Sequence, residues 1–123
     1  MEKRIDPEDM FKSIWEFPDN LNEAFELGNS IILKNTYSDI KNIVVAGMGG
    51  SAIGGDVLSS LESANLNIPL IVCRGYTLPN WVNNKTLVIC SSYSGNTEET
   101  LGSLDDAIYK KAQICGITTG GKI

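Results

Sequence analysis

The chain has 123 residues, a formal net charge of −5, and 42% hydrophobic and 20% charged residues, which fits one soluble domain. It has no apolar run of the roughly 18 residues that a membrane helix needs, and no apolar signal region follows its first four residues. We therefore expect a cytoplasmic protein with no membrane partner. The 15 acidic residues outnumber the 10 basic ones, which argues against a nucleic-acid partner, because that binding needs a basic face.

Histidine is absent from the chain. This excludes a Ser-His-Asp or Cys-His nucleophilic pair and a His-ligated zinc ion within it. Cys73, Cys90 and Cys115 each lie in an apolar run, which is typical of reduced thiols packed in a core. Acid–base chemistry must therefore use carboxylates, lysine, tyrosine or residues from elsewhere.

Residues 1–40 are predicted to form an acidic, helical N-terminal segment. Pro7 opens a short amphipathic helix that Pro18 ends, and Asp19 with Asn20 can cap a longer helix. The apolar positions of the longer helix recur at helical spacing and are Leu21, Ala24, Phe25, Ile31 and Ile32. More than half of the acidic residues fall in this segment, which indicates a solvated outer face.

From residue 41 onward, short apolar strands alternate with helices. Strands are predicted over residues 42–46, 69–73, 86–90 and 113–118, and their lack of polar alternation is typical of strands buried on both faces of a parallel sheet. A glycine-rich turn over residues 47–56 opens one helix, and Asn96 with Glu99 resembles a capping box at the start of another. The apolar stripe of that second helix is Leu101, Leu104, Ala107 and Ile108. The pattern predicts a three-layer parallel α/β sheet with right-handed crossovers.

The fourth predicted strand leads into a Gly-Gly turn at residues 120–121. A covering helix should follow such a strand, because a bare strand leaves an apolar sheet face uncovered. We therefore expect the chain to be a fragment of a longer protein, truncated after the fourth strand.

Two polar loops, residues 47–51 and 91–97, each follow a buried strand and precede a helix, where open α/β sheets bind their ligands. Glycines let backbone N–H groups approach an anion closely at a helix N-terminus, and hydroxyls and amides hold phosphate oxygens without charged side chains. The donors of the second loop are Ser91, Ser92, Ser94, Asn96 and Thr97. Together the loops indicate a site for a phosphorylated small molecule.

Two other interpretations stay open. Strand-to-helix turns are rich in glycine and hydroxyl residues simply because these residues cap and turn well. Residues 47–52 also satisfy the dinucleotide pattern G-x-G-x-x-[G/A]. No acid follows the second strand to take the ribose hydroxyls, but Arg74 could meet a 2′-phosphate, so an NADP-binding Rossmann-type domain remains an alternative. The Walker A pattern is absent from these glycines.

The motifs GMGGSAIGGD (residues 47–56) and SSYSGNTEET (residues 91–100) strongly resemble the sugar isomerase (SIS) domain. More narrowly, the chain is similar to the N-terminal part of the bifunctional phosphoglucose/phosphomannose isomerase family, common in archaea. The segments RGYTLP (residues 74–79) and ITTGG (residues 117–121) fit the same family. The resemblance implies a flavodoxin-like SIS sheet with N-terminal helices, in which residues 41–123 are the N-terminal portion of one SIS domain and a second SIS domain is absent.

The resemblance also implies an enzyme that interconverts glucose 6-phosphate or mannose 6-phosphate with fructose 6-phosphate as a homodimer, without a metal or organic cofactor. Substrate-binding residues would be Gly49, Gly50, Ser51, Ser92, Ser94 and Thr97. The family's catalytic Glu, His and Lys lie later in the chain, so catalytic residues are expected beyond residue 123. A non-catalytic SIS module that senses sugar phosphates is a further alternative.

Overall fold

A computed structural model describes residues 5–123, so the first four residues of the expected helical segment lie outside the described residues. The described residues form two compact units, one ending at Thr36 and the other spanning Tyr37–Ile123. The helices are α1 (Met10–Trp15), α2 (Phe17–Ser30), α3 (Gly49–Glu62) and α4 (Glu98–Tyr109). The strands are β1 (Asn42–Ala46), β2 (Leu70–Cys73), β3 (Thr86–Ser91) and β4 (Gln113–Ile117).

All four strands pair in parallel in the order β2-β1-β3-β4, the flavodoxin-like order. Successive side chains of a strand point to opposite faces, so the neighbours Val44 and Val45 mark the two faces of the sheet. Gly55 of α3 packs against Val45, whereas Ala107 of α4 belongs to the core cluster with Val44. The helices therefore cover opposite faces, and the predicted three-layer α/β architecture is confirmed.

The core lies along β1 and β3. Val44, Val45 and Ala46 are nearly fully buried, as expected for a central strand with a neighbour on each side. Burial raises the pKa of the Cys90 thiol to about 11, so this group stays protonated at neutral pH. The prediction of core cysteines is confirmed for Cys90, whereas Cys73 and Cys115 are half-buried free thiols.

The boundaries of the two N-terminal helices differ from the predicted ones. Helix α2 begins at Phe17, with Pro18 in its first turn, because a proline there lacks only an N–H that the helix would leave unpaired anyway. The prediction that Pro18 ends a helix and that Asp19 and Asn20 cap the next one was therefore wrong. The helix also stops at Ser30, and Ile31 is extended, so Ile31 and Ile32 are not part of it.

Two details of α3 and α4 also differ from expectation. Helix α3 begins at Gly49, so most of the glycine-rich segment is helical rather than a turn. The buried face of α4 consists of Thr100, Ser103 and Ala107, whereas Ile108 is exposed. The buried face of this helix is therefore more polar than the predicted apolar stripe. Ser103 can be buried because its hydroxyl donates to the Gly75 carbonyl oxygen at 2.8 Å.

The segment between β2 and β3 is fastened to α4. The Asp106 carboxylate accepts hydrogen bonds from the Leu78 N–H at 2.7 Å and from the Lys110 ammonium at 2.6 Å. Lys110 also donates to the Leu78 carbonyl oxygen at 3.3 Å. No helix in residues 5–123 has the length and apolar character needed to cross a bilayer.

Candidate functional site

The two loops singled out in the sequence meet at the carboxyl edge of the sheet. Their strands are neighbours, with Ala46 of β1 opposite Cys90 of β3. A Cβ added to Gly47 would lie 2.9 Å from the Ser91 carbonyl oxygen, closer than a side chain normally comes. Glycine at position 47 therefore allows the backbones of the two loops to approach each other.

Residues 47–51 form the glycine loop, which leads directly into α3. Gly49, the first helical residue, has a φ of +53°, a conformation that glycine adopts at little cost. No side chain caps this helix, so its first N–H groups keep their capacity to bind an anion. The Ser51 hydroxyl makes no hydrogen bond within the described residues and is available as a further donor.

Residues 91–97 form the hydroxyl loop, which is held by its own side chains. The Ser92 hydroxyl, only 2% exposed, lies 2.7 Å from the Thr97 hydroxyl and accepts the Gly95 N–H at 3.1 Å. The Ser94 hydroxyl oxygen accepts the Asn96 N–H at 3.1 Å. These bonds fix the positions of the Ser94 and Thr97 hydroxyl groups at the start of α4.

The capping interpretation of the hydroxyl loop fails on the hydrogen bonds. Thr97 occupies the N-cap position of α4, but no side chain caps the helix. The expected capping box of Asn96 and Glu99 was wrong, because the Asn96 side-chain amide donates to the Ser94 carbonyl oxygen instead. The N–H groups at the start of α4 are therefore left without a side-chain acceptor, as they are at the start of α3.

The first cleft lies between the two helix N-termini and has a volume of about 540 Å³. Its walls are Met48, Gly50, Ser51, Tyr93, Ser94 and Thr97. Four of the six residues predicted to bind substrate thus lie together: Gly50, Ser51, Ser94 and Thr97. Gly49 and Ser92 are not among the lining residues; Gly49 shapes the start of α3, and Ser92 lies behind Thr97.

A second cleft of about 240 Å³ adjoins the first and shares Ser51 and Tyr93 with it. Its other walls are Ser91, Ile117, Thr118 and Thr119. Sequence reasoning missed Tyr93, Thr118 and Thr119 as site residues. The predicted topology could have indicated these residues, because the carboxyl end of β4 lies at the same sheet edge as the carboxyl ends of β1 and β3.

Neither cleft is lined by a charged side chain. The positive ends of the α3 and α4 dipoles therefore supply the field that favours an anion, worth about 0.3–1 kcal/mol per exposed charge. Glu98 and Glu99, in the first turn of α4, line neither cleft, and their negative charge raises the pKa of Tyr76. Within residues 5–123 no group of three His, Cys, Asp or Glu side chains converges as a metal site would require.

Arg74, the side chain that could meet a 2′-phosphate of NADP, is occupied. Its guanidinium forms an ion pair with the Asp56 carboxylate of α3. A phosphate bound at Arg74 would also lie near the negative charge of Asp56, which repels it. The ion pair therefore weighs against the NADP alternative.

Comparison with known proteins agrees with this geometry. A bifunctional phosphoglucose/phosphomannose isomerase of Caldicellulosiruptor bescii is 49% identical over 114 residues, which are 93% of this chain and 34% of the relative. The chain is homologous to part of this enzyme. A protein of the same name from Thermoplasma acidophilum is 49% identical over 82 residues, covering 67% of this chain and 26% of the relative. The chain thus spans about a third or less of the length of these curated relatives.

The fold is shared with solved structures as well. A phosphosugar isomerase from Clostridium difficile superposes with a TM-score of 0.72 at 20% identity, over 86% of this chain and 31% of that one. At this identity the likeness concerns the fold alone, and it confirms the predicted parallel α/β sheet with covering helices. No family model matches the chain.

Proposed function

We propose that this chain supplies the phosphate-binding part of a sugar-phosphate aldose–ketose isomerase. The substrates would be glucose 6-phosphate or mannose 6-phosphate and fructose 6-phosphate. The observation that carries the proposal is the first cleft, in which two uncapped helix N-termini and the hydroxyls of Ser51, Ser94 and Thr97 converge. The names of the relatives support the same substrate class.

The binding step follows from the donors in the first cleft. A phosphate between α3 and α4 would receive backbone N–H groups from both helices and hydroxyl protons from both loops. Hydrogen bonds to a charged partner contribute about 1.5–3 kcal/mol each. We place Gly49 and Ser92 in support of this site: Gly49 aims the N-terminus of α3, and Ser92 orients Thr97.

The acid–base groups of the reaction are expected elsewhere. Aldose–ketose isomerisation needs a base that moves a proton between C1 and C2 and a group that opens the ring. The chain has no histidine, and no carboxylate lines either cleft. A catalytic Glu, His and Lys outside these 123 residues, together with a homodimer, would complete the enzyme. A sensor module would bind the same ligand without them.

A parallel thermal-shift titration with fructose 6-phosphate and NADP tests the proposal. A ligand at 100 times its dissociation constant stabilises the folded state by about 2.7 kcal/mol, so fructose 6-phosphate should raise Tm. Thr97→Ala should weaken that binding by about 0.5–3 kcal/mol, since a donor to the phosphate is lost. The matched control is Thr77→Ala, which removes an exposed threonine hydroxyl away from both clefts.

A shift with NADP alone would support the dinucleotide alternative instead. Equal affinity of the Thr97→Ala chain and the unchanged chain for fructose 6-phosphate would contradict the phosphate role of this loop. Turnover of bound sugar phosphate by a longer chain that carries the expected Glu and His would separate the enzyme from the sensor.

A further inference from the structure

The first half of α3 has few side chains to hold it in place. Four of its first seven residues are glycine, the poorest helix former apart from proline. The buried residues of the helix are Ala52 and Gly55, which bring its backbone close to the sheet but offer almost no side chain to pack there. The direction of the α3 N-terminus, and of the N–H groups that it presents to the first cleft, therefore depends on contacts outside the helix.

One such contact is the ion pair between Asp56 of α3 and Arg74, which follows β2. The Nη2 atom of Arg74 donates to the Oδ2 atom of Asp56. The other side-chain hydrogen bonds of α3 join it to its own backbone or to the turn that follows it. Among the described residues, the ion pair is therefore the side-chain bond that ties α3 to a distant part of the chain.

This arginine belongs to a short segment, residues 73–78, that contacts the glycine loop and α4 as well. The Cys73 carbonyl oxygen accepts the Gly47 N–H at 3.2 Å. The Gly75 carbonyl oxygen accepts the Ser103 hydroxyl of α4 at 2.8 Å, and the end of the segment is bonded to α4 a second time. The segment therefore joins the glycine loop and α3 on one side to α4 on the other.

We propose that Arg74 is a positioning residue of the phosphate site: by holding Asp56, it sets the direction of the α3 N-terminus relative to α4. This inference rests on the proposed function. The N-termini of both helices have to point at one phosphate if their N–H groups are to bind it together. Arg74 lines neither cleft, so it acts through the helix and does not touch the ligand.

The sign of the effect distinguishes this role from direct binding. A guanidinium group that bound phosphate itself would gain from the loss of the neighbouring carboxylate, and the affinity for anions would rise. A positioning pair fails when either partner is lost, because α3 is released in both cases. Loss of Asp56 and loss of Arg74 change the net charge in opposite directions, so a decrease of phosphate affinity in both variants cannot come from charge alone.

The test is a calorimetric titration of the chain with inorganic phosphate and with fructose 6-phosphate. Asp56→Asn and Arg74→Gln should each raise the Kd for both probes by about three- to tenfold, the loss of one well-aligned hydrogen bond. The double variant should bind no more weakly than either single one, because the two residues act as a unit. Arg74→Lys keeps a cation beside Asp56 and should stay within about twofold of the original Kd.

The matched control is Lys85→Gln, which breaks another exposed ion pair, that of Lys85 with Asp39 at 2.9 Å. Lys85 directly precedes β3 and so lies at the opposite edge of the sheet from the two clefts. This variant should leave the Kd for both probes unchanged. Exposed ion pairs contribute little to stability, so all of the variants should remain folded, which circular dichroism at the titration temperature checks.

Three results would overturn the inference while leaving the proposed function in place. Tighter phosphate binding by Asp56→Asn together with weaker binding by Arg74→Gln would make Arg74 a direct ligand. Unchanged Kd values in both variants would show that α3 keeps its direction without the pair. An equal loss in Lys85→Gln would show that the net charge of the chain, and not the position of α3, controls binding. If the unchanged chain binds neither probe, the proposed function fails, and this inference fails with it.

Discussion

The glycine loop and the hydroxyl loop occupy equivalent places in the fold but are built in different ways. Each follows a buried parallel strand and opens a helix that no side chain caps. The glycine loop is shaped by backbone freedom, as at Gly49, and by close approach, as at Gly47. The hydroxyl loop is shaped by side-chain hydrogen bonds centred on Ser92.

This difference in construction assigns two tasks to the two loops: the glycine loop offers donors to a ligand, and the hydroxyl loop also holds the local structure together. The glycine loop leaves its donors open, since the Ser51 hydroxyl has no partner within residues 5–123. The hydroxyl loop forms hydrogen bonds within itself, through Ser92, and also to the segment after β4, where the Gly95 carbonyl oxygen accepts the Lys122 N–H at 3.0 Å. We therefore expect the loss of a hydroxyl in the hydroxyl loop to affect folding as well as binding, and the loss of the Ser51 hydroxyl in the glycine loop to affect binding alone.

The largest expected effect is that of Gly95→Ala. Gly95 has a φ of +67°, and an added Cβ would collide with the Gly120 carbonyl and lie 2.7 Å from the Thr118 hydroxyl oxygen. A left-handed non-glycine residue costs about 1–2 kcal/mol and overpacking about 1–3 kcal/mol. The free energy of unfolding in urea should thus fall by about 2–5 kcal/mol.

Gly50→Ala is the matched control in the glycine loop. Gly50 lies in α3 without a positive φ, and no atom lies within 4 Å of an added Cβ. Alanine is the better helix former by about 0.5–1 kcal/mol, so this variant should be as stable as the original chain or more so. Equal losses of stability in both variants would break the distinction between the loops.

A smaller effect comes from serines that differ in their partners. Ser92→Ala removes one of the two acceptors of the Gly95 N–H, the other being the Ser92 carbonyl oxygen at 3.3 Å, and leaves Thr97 without its neighbour. The free energy of unfolding should therefore fall by about 0.5–1.5 kcal/mol, the net contribution of one hydrogen bond. Ser51→Ala removes a hydroxyl without a protein partner and should leave stability within about 0.5 kcal/mol. Both variants should bind fructose 6-phosphate more weakly than the original chain. Urea denaturation with parallel titrations checks this, and a stable Ser92→Ala chain with normal affinity would contradict it.

The sequence was sufficient for the α/β fold and for the meeting of the two loops at one sheet edge, and the reasons are local. The run at residues 42–46 became β1 without change, because unbroken β-branched residues between turn signals leave few alternatives. The placement of Ser94 and Thr97 beside Ser51 followed from the rule that parallel strands end at one sheet edge.

What sequence reasoning missed depends on hydrogen bonds between distant residues. Nothing near Thr119 in the sequence shows that its proton goes to Tyr93, 26 positions away. The helix starts at Phe17 and Gly49 were also missed, because proline and glycine are tolerated in a first turn where N–H groups are unpaired in any case. Local sequence patterns therefore located the loops, but they did not show to which acceptors the hydroxyl groups of these loops donate.

The smallest expected effect concerns the helices behind the two loops. Helix α4 is fastened by Asp106, whose pKa is lowered by its hydrogen bond with Lys110 and by that with the Leu78 N–H, despite partial burial. A carboxyl group whose pKa is lowered in the folded state adds to the free energy of unfolding at pH values above its ordinary pKa, which is 3.8. This contribution is lost as the pH falls through the lowered pKa. Acid should therefore weaken the attachment of α4 to the segment around Leu78.

Asp106→Asn isolates this contribution, because the amide oxygen can still accept the Leu78 N–H while the charge is lost. With the carboxylate only 18% exposed, the variant should be about 0.5–1 kcal/mol less stable at pH 7. Urea denaturation from pH 7 down to pH 2 should show this difference shrinking towards zero as the pH falls through the lowered pKa of Asp106. Asp105→Asn, at the exposed neighbouring carboxylate, is the matched control. A difference between Asp106→Asn and the original chain that persists unchanged at pH 2 would mean that packing, and not charge, fastens α4 behind the hydroxyl loop.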